Sequence, residues 1–89
     1  MEVKEQINIK VVESRCKFYK PGDQIVIEGP LINLKQSDNV CLTAVSSFFP
    51  FVYALRKGVT PKQMGFPDQV LVQCPDYCAP VVFELICTE

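Results

Sequence analysis

The chain reads as a small α+β domain: an antiparallel sheet of about four strands, in the order β-β-α-β-β, with one Pro-interrupted helix packed on one face. Three observations carry this reading. Apolar and polar residues alternate near both ends of the sequence, the period of half-buried strands. A central segment repeats its apolar residues at steps of three and four, the period of one helix face. Clusters of Pro and Gly punctuate the intervals between them. With 89 residues the sequence is expected to form a single domain, 1–89, around one core.

The first strand is expected over residues 5–12, where Ile7, Ile9 and Val11 share a face and Asn8 and Lys10 take the other. It runs into the basic stretch Arg15-Cys16-Lys17, and Pro21-Gly22-Asp23 supplies a turn. Residues 24–28 form the second strand, closed by Gly29-Pro30, and the two runs are expected to pair antiparallel. Leu31, Ile32 and Leu34 follow no sustained period, so residues 30–38 read as a packed loop, with Ser37 and Asp38 as N-cap candidates.

The helix is expected from Asn39 to Lys57, with Cys41, Val45, Phe48, Val52 and Leu55 as its stripe and Ala44 and Phe49 widening it. Pro50 falls inside this pattern; it removes a backbone hydrogen bond and crowds the preceding turn, which predicts a kink or two helices, the second starting near Ser47. Arg56 and Lys57 suit the C-terminal end, and Gly58 the position after it. Residues 58–68 hold two prolines and two glycines and read as an irregular connection pinned by Met64 and Phe66. Residues 69–73 then form a strand, Cys74 to Cys78 a turn, and residues 81–87 a last strand with Val81, Phe83 and Leu85 on one face. Glu84 among apolar neighbours on the other face suggests partial cover there, which a homodimer would complete.

Composition narrows the function classes. A hydrophobic fraction of 48% with 21% charged residues is that of a globular protein with a soluble surface. Nine Lys and Arg against ten Asp and Glu leave a net charge of −1, which argues against a nucleic-acid binder that must neutralise phosphates. Met1–Gln6 lacks the apolar core of a signal peptide, and no apolar run approaches the length of a membrane span. A cytoplasmic location is the expectation.

The chemistry-bearing residues are cysteines. There are five, Cys16, Cys41, Cys74, Cys78 and Cys87, and no histidine, so mechanisms that need imidazole as base, shuttle or ligand are excluded. In a reducing compartment the thiols serve as packing groups, metal ligands or redox groups rather than as a disulfide framework. If the helix begins at the end of the sheet where the first strand finishes, Cys16, Cys41, Cys74 and Cys78 gather there. Such a set would hold zinc or an iron–sulfur cluster; three thiolates alone would leave a position open. Cys16 between Arg15 and Lys17, and Cys41 near a helix N-terminus, are placed to favour thiolates. The spacing itself is unspecific, with one C-x3-C and no paired C-x2-C, and Cys87 is assigned to packing.

Other candidates have ordinary structural explanations. Asp23 and Asp76 sit in turns where Asp is expected, and Arg15, Lys17 and Lys20 read as a solvated strand end. Phe48-Phe49-Pro50-Phe51 reads as helix core before it reads as a pocket wall, and no Ser, Lys or Tyr is marked as a nucleophile.

The order Cys16, Gly22-Asp23, Cys41, Ala54-Leu55-Arg56-Lys57-Gly58, Cys74-Pro75-Asp76, Pro80-Val81-Val82-Phe83-Glu84 resembles a family of prokaryotic proteins of about this length with no assigned function. The resemblance covers nearly the whole chain. It implies that Cys16, Cys41 and Cys74 are recurring positions, and it supplies no substrate, cofactor or reaction. Three readings follow: a small metal- or cluster-binding protein, an interaction module with structural cysteines acting through a homodimer or a protein partner, and a thiol redox protein with Cys16 or Cys41 as the reactive group. A conventional enzyme fits least.

Overall fold

The structure, a computed structural model, describes residues 6–88. Glu5, where the first strand is expected to start, and the stretch before it lie outside the described residues. The elements are β1 (Gln6–Ser14), β2 (Gln24–Glu28), β3 (Leu31–Asn33), α1 (Leu42–Arg56), a 3₁₀ turn (Lys62–Met64), β4 (Val70–Gln73) and β5 (Val81–Thr88). The strands form one antiparallel sheet in the order β3-β2-β1-β5-β4, with α1 against one face.

Register explains why that face is the core. Ile7 lies opposite Ile27 and Cys87, Ile9 opposite Ile25 and Leu85, and Val11 opposite Phe83. Leu85 and Phe83 in turn face Val70 and Val72. Because side chains alternate along a strand, these registers put every one of those residues on the same side. Ala44, Phe48, Val52 and Leu55 of α1 cover them, one helical stripe set on one apolar sheet face. Phe83, fully buried, is the hinge of an aromatic ladder: Phe48 meets it edge-on at 5.5 Å and Tyr19 at 5.6 Å. Each such ring contributes roughly 1.5–3 kcal/mol by leaving water.

One expectation is corrected and one open alternative is decided. The sheet has five strands, not about four, because Leu31–Asn33 is a short edge strand rather than a packed loop. Ile27 pairs with Ile32 across Gly29-Pro30, and Gly29 at φ +57° followed by proline is the backbone of a type II′ hairpin turn. Three residues are too few to display a period, and Leu31 is 70% exposed, so hydrophobic alternation gave no signal there. The helix is also one element, Leu42–Arg56, with Pro50 inside it. An interior proline costs about 3 kcal/mol, which the buried stripe on either side of it offsets.

The helix ends show local chemistry at work. Lys57 caps α1, Gly58 follows at φ +91°, and Gly58 N–H and Val59 N–H donate to the carbonyls of Leu55 and Ala54. This is the Schellman arrangement that Gly58 leads one to expect. At the other end the N-cap is Cys41, not Ser37 or Asp38. Those two side chains accept the N–H groups of Val26 and Gln24 instead, at 2.8 Å each. With β3 so short, the outer edge of β2 needs acceptors, and residues 37 and 38 supply them. Met64 and Phe66 pack against the core as expected, Phe66 with its ring edge-on to Phe51 at 5.5 Å.

Candidate functional site

Helix α1 starts at the end of the sheet where β1 finishes, and this decides where the cysteines go. Cys16, Cys41 and Cys74, from three remote segments, line one cleft of about 330 Å³ together with Lys17, Tyr19 and Asp76. Cys74 is buried; Cys16 and Cys41 are half-buried. None of the three is in a disulfide. Cys78 is exposed and lies outside the residues that line the cleft, while Cys87 sits at the opposite end of β5 and packs against the core. Among the described residues, no group of three Cys, Asp or Glu side chains is arranged to hold a single metal ion.

Each cysteine is positioned by a local device. In the loop after β1, Ser14 Oγ accepts the Cys16 N–H at 3.1 Å. The same oxygen lies 2.9 Å from the Tyr19 carbonyl and 3.1 Å from that of Cys16, so its single proton serves one at a time. The loop is thereby folded over so that Phe18 N–H donates to Cys16 Sγ at 3.5 Å. Asp23 closes its base: its carboxylate accepts the Lys20 backbone N–H at 3.1 Å and the Lys20 ammonium at 2.9 Å. Those contacts hold the Asp23 carboxyl below its ordinary value, the Lys20 side chain first and its backbone N–H second.

Cys41 is held from across the fold. Its N–H, one of the donors a helix N-terminus leaves without an intrahelical partner, donates to Tyr19 Oη at 2.9 Å. The Tyr19 ring is buried against Phe83, so the aromatic ladder of the core fixes the hydroxyl that fixes Cys41. Burial raises the Tyr19 pKa above its ordinary value; the Cys41 N–H lowers it, and charge on Cys41, Cys16 and Cys74 adds to the rise. The phenol therefore stays protonated at neutral pH. Cys74 is placed by its N–H donating to the Val81 carbonyl at 2.8 Å, one rung beyond the end of β4. Asp76 Oδ1 accepts the N–H groups of Cys78 and Ala79, at 3.0 and 3.2 Å, which folds the turn between β4 and β5.

The remaining candidates separate in space. Arg15 is exposed, Lys17 lies over the Phe18 ring at 5.3 Å and Lys20 is paired with Asp23, so the basic trio is divided among different partners. Asp23 and Asp76 each serve their own turn. Of the phenylalanine run, Phe48 is core, Phe51 is half-buried and Phe49 is 59% exposed. The residue that sequence reasoning missed is Tyr19. A lone tyrosine in a loop carries no periodic signal, and only its place three residues after Cys16 hinted at a shared role.

No helix among the described residues is long and apolar enough to cross a membrane. A scan against known protein families, a search of curated proteins and a search of solved structures each returned no match.

Proposed function

We propose that this protein binds an iron–sulfur cluster through Cys16, Cys41 and Cys74. The observation that carries the reading is their convergence: three thiols 25 and 33 positions apart in the chain line one cleft. The three thiols are not arranged around a single ion, and a cleft of about 330 Å³ leaves room for a polynuclear group whose cysteines bind different irons. The Phe18 N–H directed at Cys16 Sγ is the type of hydrogen bond that stabilises an anionic sulfur ligand and sets a cluster's potential. Three protein ligands leave one iron open, the position at which a substrate or an electron-transfer partner would engage.

The test is anaerobic reconstitution of untagged protein with ferrous iron and sulfide, followed by visible absorption and elemental analysis. Iron and sulfide in matching amounts, lost in Cys16→Ser, Cys41→Ser or Cys74→Ser and kept in Cys78→Ser, is the expected result. Zinc at one equivalent in the protein as purified would reassign the cleft to a single-ion site. A folded chain that takes up neither overturns the reading, and with it metal binding as the role of these thiols.

A further inference from the structure

β4 is the last strand of the sheet, with β5 on one side and no strand among the described residues on the other. We infer that this edge pairs antiparallel with β4 of a second copy of the chain, about a two-fold axis at Leu71. The pairing joins two five-stranded sheets into one and does not depend on what the cysteines hold.

The backbone of β4 presents its free groups outward. Cys74 N–H donates to the Val81 carbonyl. In an antiparallel ladder such bonds fall on alternate residues, so Val70, Val72 and Cys74 bond inward to β5, while Leu71 and Gln73 turn N–H and C=O away from the sheet. Among the described residues, no other segment of the chain pairs with these outward groups. The strand also has none of the features that blunt a free edge: Val70–Gln73 contains no charge, no proline and no bulge. The opposite edge of the sheet, β3, is protected by being only three residues long.

The order of residues selects a second copy as the occupant. Residues 69–73 read Gln-Val-Leu-Val-Gln, the same in both directions, and Pro67 and Pro75 stand equally far from Leu71. A two-fold axis sets each residue opposite the one equally far on the other side. Leu71 then faces its own copy, Val70 faces Val72, and Gln69 faces Gln73. The central pair exchanges two backbone hydrogen bonds. The Gln69 amide donates to Glu84 Oε2 at 2.9 Å, which leaves its carbonyl oxygen to accept from Gln73 of the second copy. A charge at the axis would repel itself; Leu71 is uncharged, 45% exposed on the face opposite α1, and gives up that exposure against its copy. Asp68, the nearest charge along the chain, falls opposite Cys74 rather than another carboxylate. The prolines, which lack an N–H, end the ladder on both sides. A peptide of another sequence would find the same backbone groups but not this symmetry.

Sedimentation equilibrium of the untagged full chain tests this, with a thiol reductant present to exclude disulfide-linked dimers. A reversible monomer–dimer equilibrium is expected. Leu71 N–H and Gln73 N–H should exchange with deuterium about tenfold more slowly where the dimer prevails than in dilute protein. Leu71→Lys and Leu71→Glu each oppose like charges at the axis and should sediment as monomers, with the parent's circular dichroism because the side chain sits on an exposed face. An equimolar mixture of the two opposes unlike charges and should restore the dimer. Leu31→Lys, on the other edge, should dimerise as the parent does. A parent that stays monomeric at millimolar concentration leaves the edge to a peptide of another protein and overturns the inference. So does a dimer that survives in Leu71→Lys, or one that the mixed variants fail to restore. Should the charge variants not fold, exchange in the parent decides alone: Leu71 and Gln73 rates that do not change with dilution overturn the pairing.

Discussion

Replacing Tyr19 with phenylalanine isolates the link between the core and the cysteine cleft. The ring keeps its edge-on packing with Phe83, while the one atom lost is the hydroxyl that accepts the Cys41 N–H at 2.9 Å. A buried donor left without its partner costs about 1–3 kcal/mol. Cys41 is half-buried, so water recovers part of this, and the expected loss is about 1 kcal/mol. For a domain of this size that lowers Tm by roughly 4–8 °C. Tyr19→Ala removes the ring as well and should cost about 3–5 kcal/mol, as other buried aromatic truncations do. Urea unfolding of the three proteins gives the differences directly. The variant also carries a pH signature. The Tyr19 pKa is raised in the folded state, so the native protein holds this proton more tightly than the unfolded chain. Its contribution is full below the unfolded value of about 10 and is lost as pH rises through the folded value. Tyr19→Phe should therefore show a shallower alkaline loss than the parent. If Tyr19→Phe unfolds at the parent's urea midpoint, or loses as much as Tyr19→Ala, the hydroxyl is not what places Cys41.

Other expected outcomes follow from single features. Asp23 has a lowered pKa, so its stabilising contribution is present above the unfolded carboxyl value and disappears as pH falls through the lower folded one. Lys20 is raised, so its contribution is full below its unfolded value and is lost as pH climbs through the folded one. Asp23→Asn should flatten both ends of the stability–pH curve, and unchanged slopes would exclude this pair as the cause. Gly29→Ala meets no steric obstacle but must adopt φ +57°, which costs about 1–2 kcal/mol; thermal melts that match the parent would contradict the II′ turn. Phe83→Ala, at the centre of the aromatic ladder, should cost about 3–5 kcal/mol in urea, and a loss under 1 kcal/mol would show that the core is not organised around that ring.

Much of the fold is legible without tertiary information. Ile7, Ile9 and Val11, or Val81, Phe83 and Leu85, alternate because one side of a strand is dry and the other wet, and that pattern survives in the order of residues. The Ala44–Phe48–Val52–Leu55 stripe is legible for the same reason at helical period, and Gly58 because a positive φ favours glycine. The hairpin strand Leu31–Asn33 is not legible, since an exposed three-residue edge has no buried side to record. Nor is the helix N-cap. Ser37 and Asp38 have the chemistry for it, but they meet the nearer demand of the β2 edge, and local propensity yields to whichever backbone donor is left unpaired.

The candidate site divides along the same line. By itself the sequence determines that cysteine is the soft ligand available and that imidazole chemistry is closed to this chain. Which cysteines meet depends on the end of the sheet at which α1 begins, and the segment before α1 is tied to that end where Ser37 and Asp38 accept the Val26 and Gln24 N–H groups. Once α1 starts beside the end of β1, Cys16, Cys41 and Cys74 share a cleft and Cys78, four residues beyond Cys74, does not. Sequence separation carries no information about that, because proximity between segments is decided by burial of surfaces far larger than the thiols they carry.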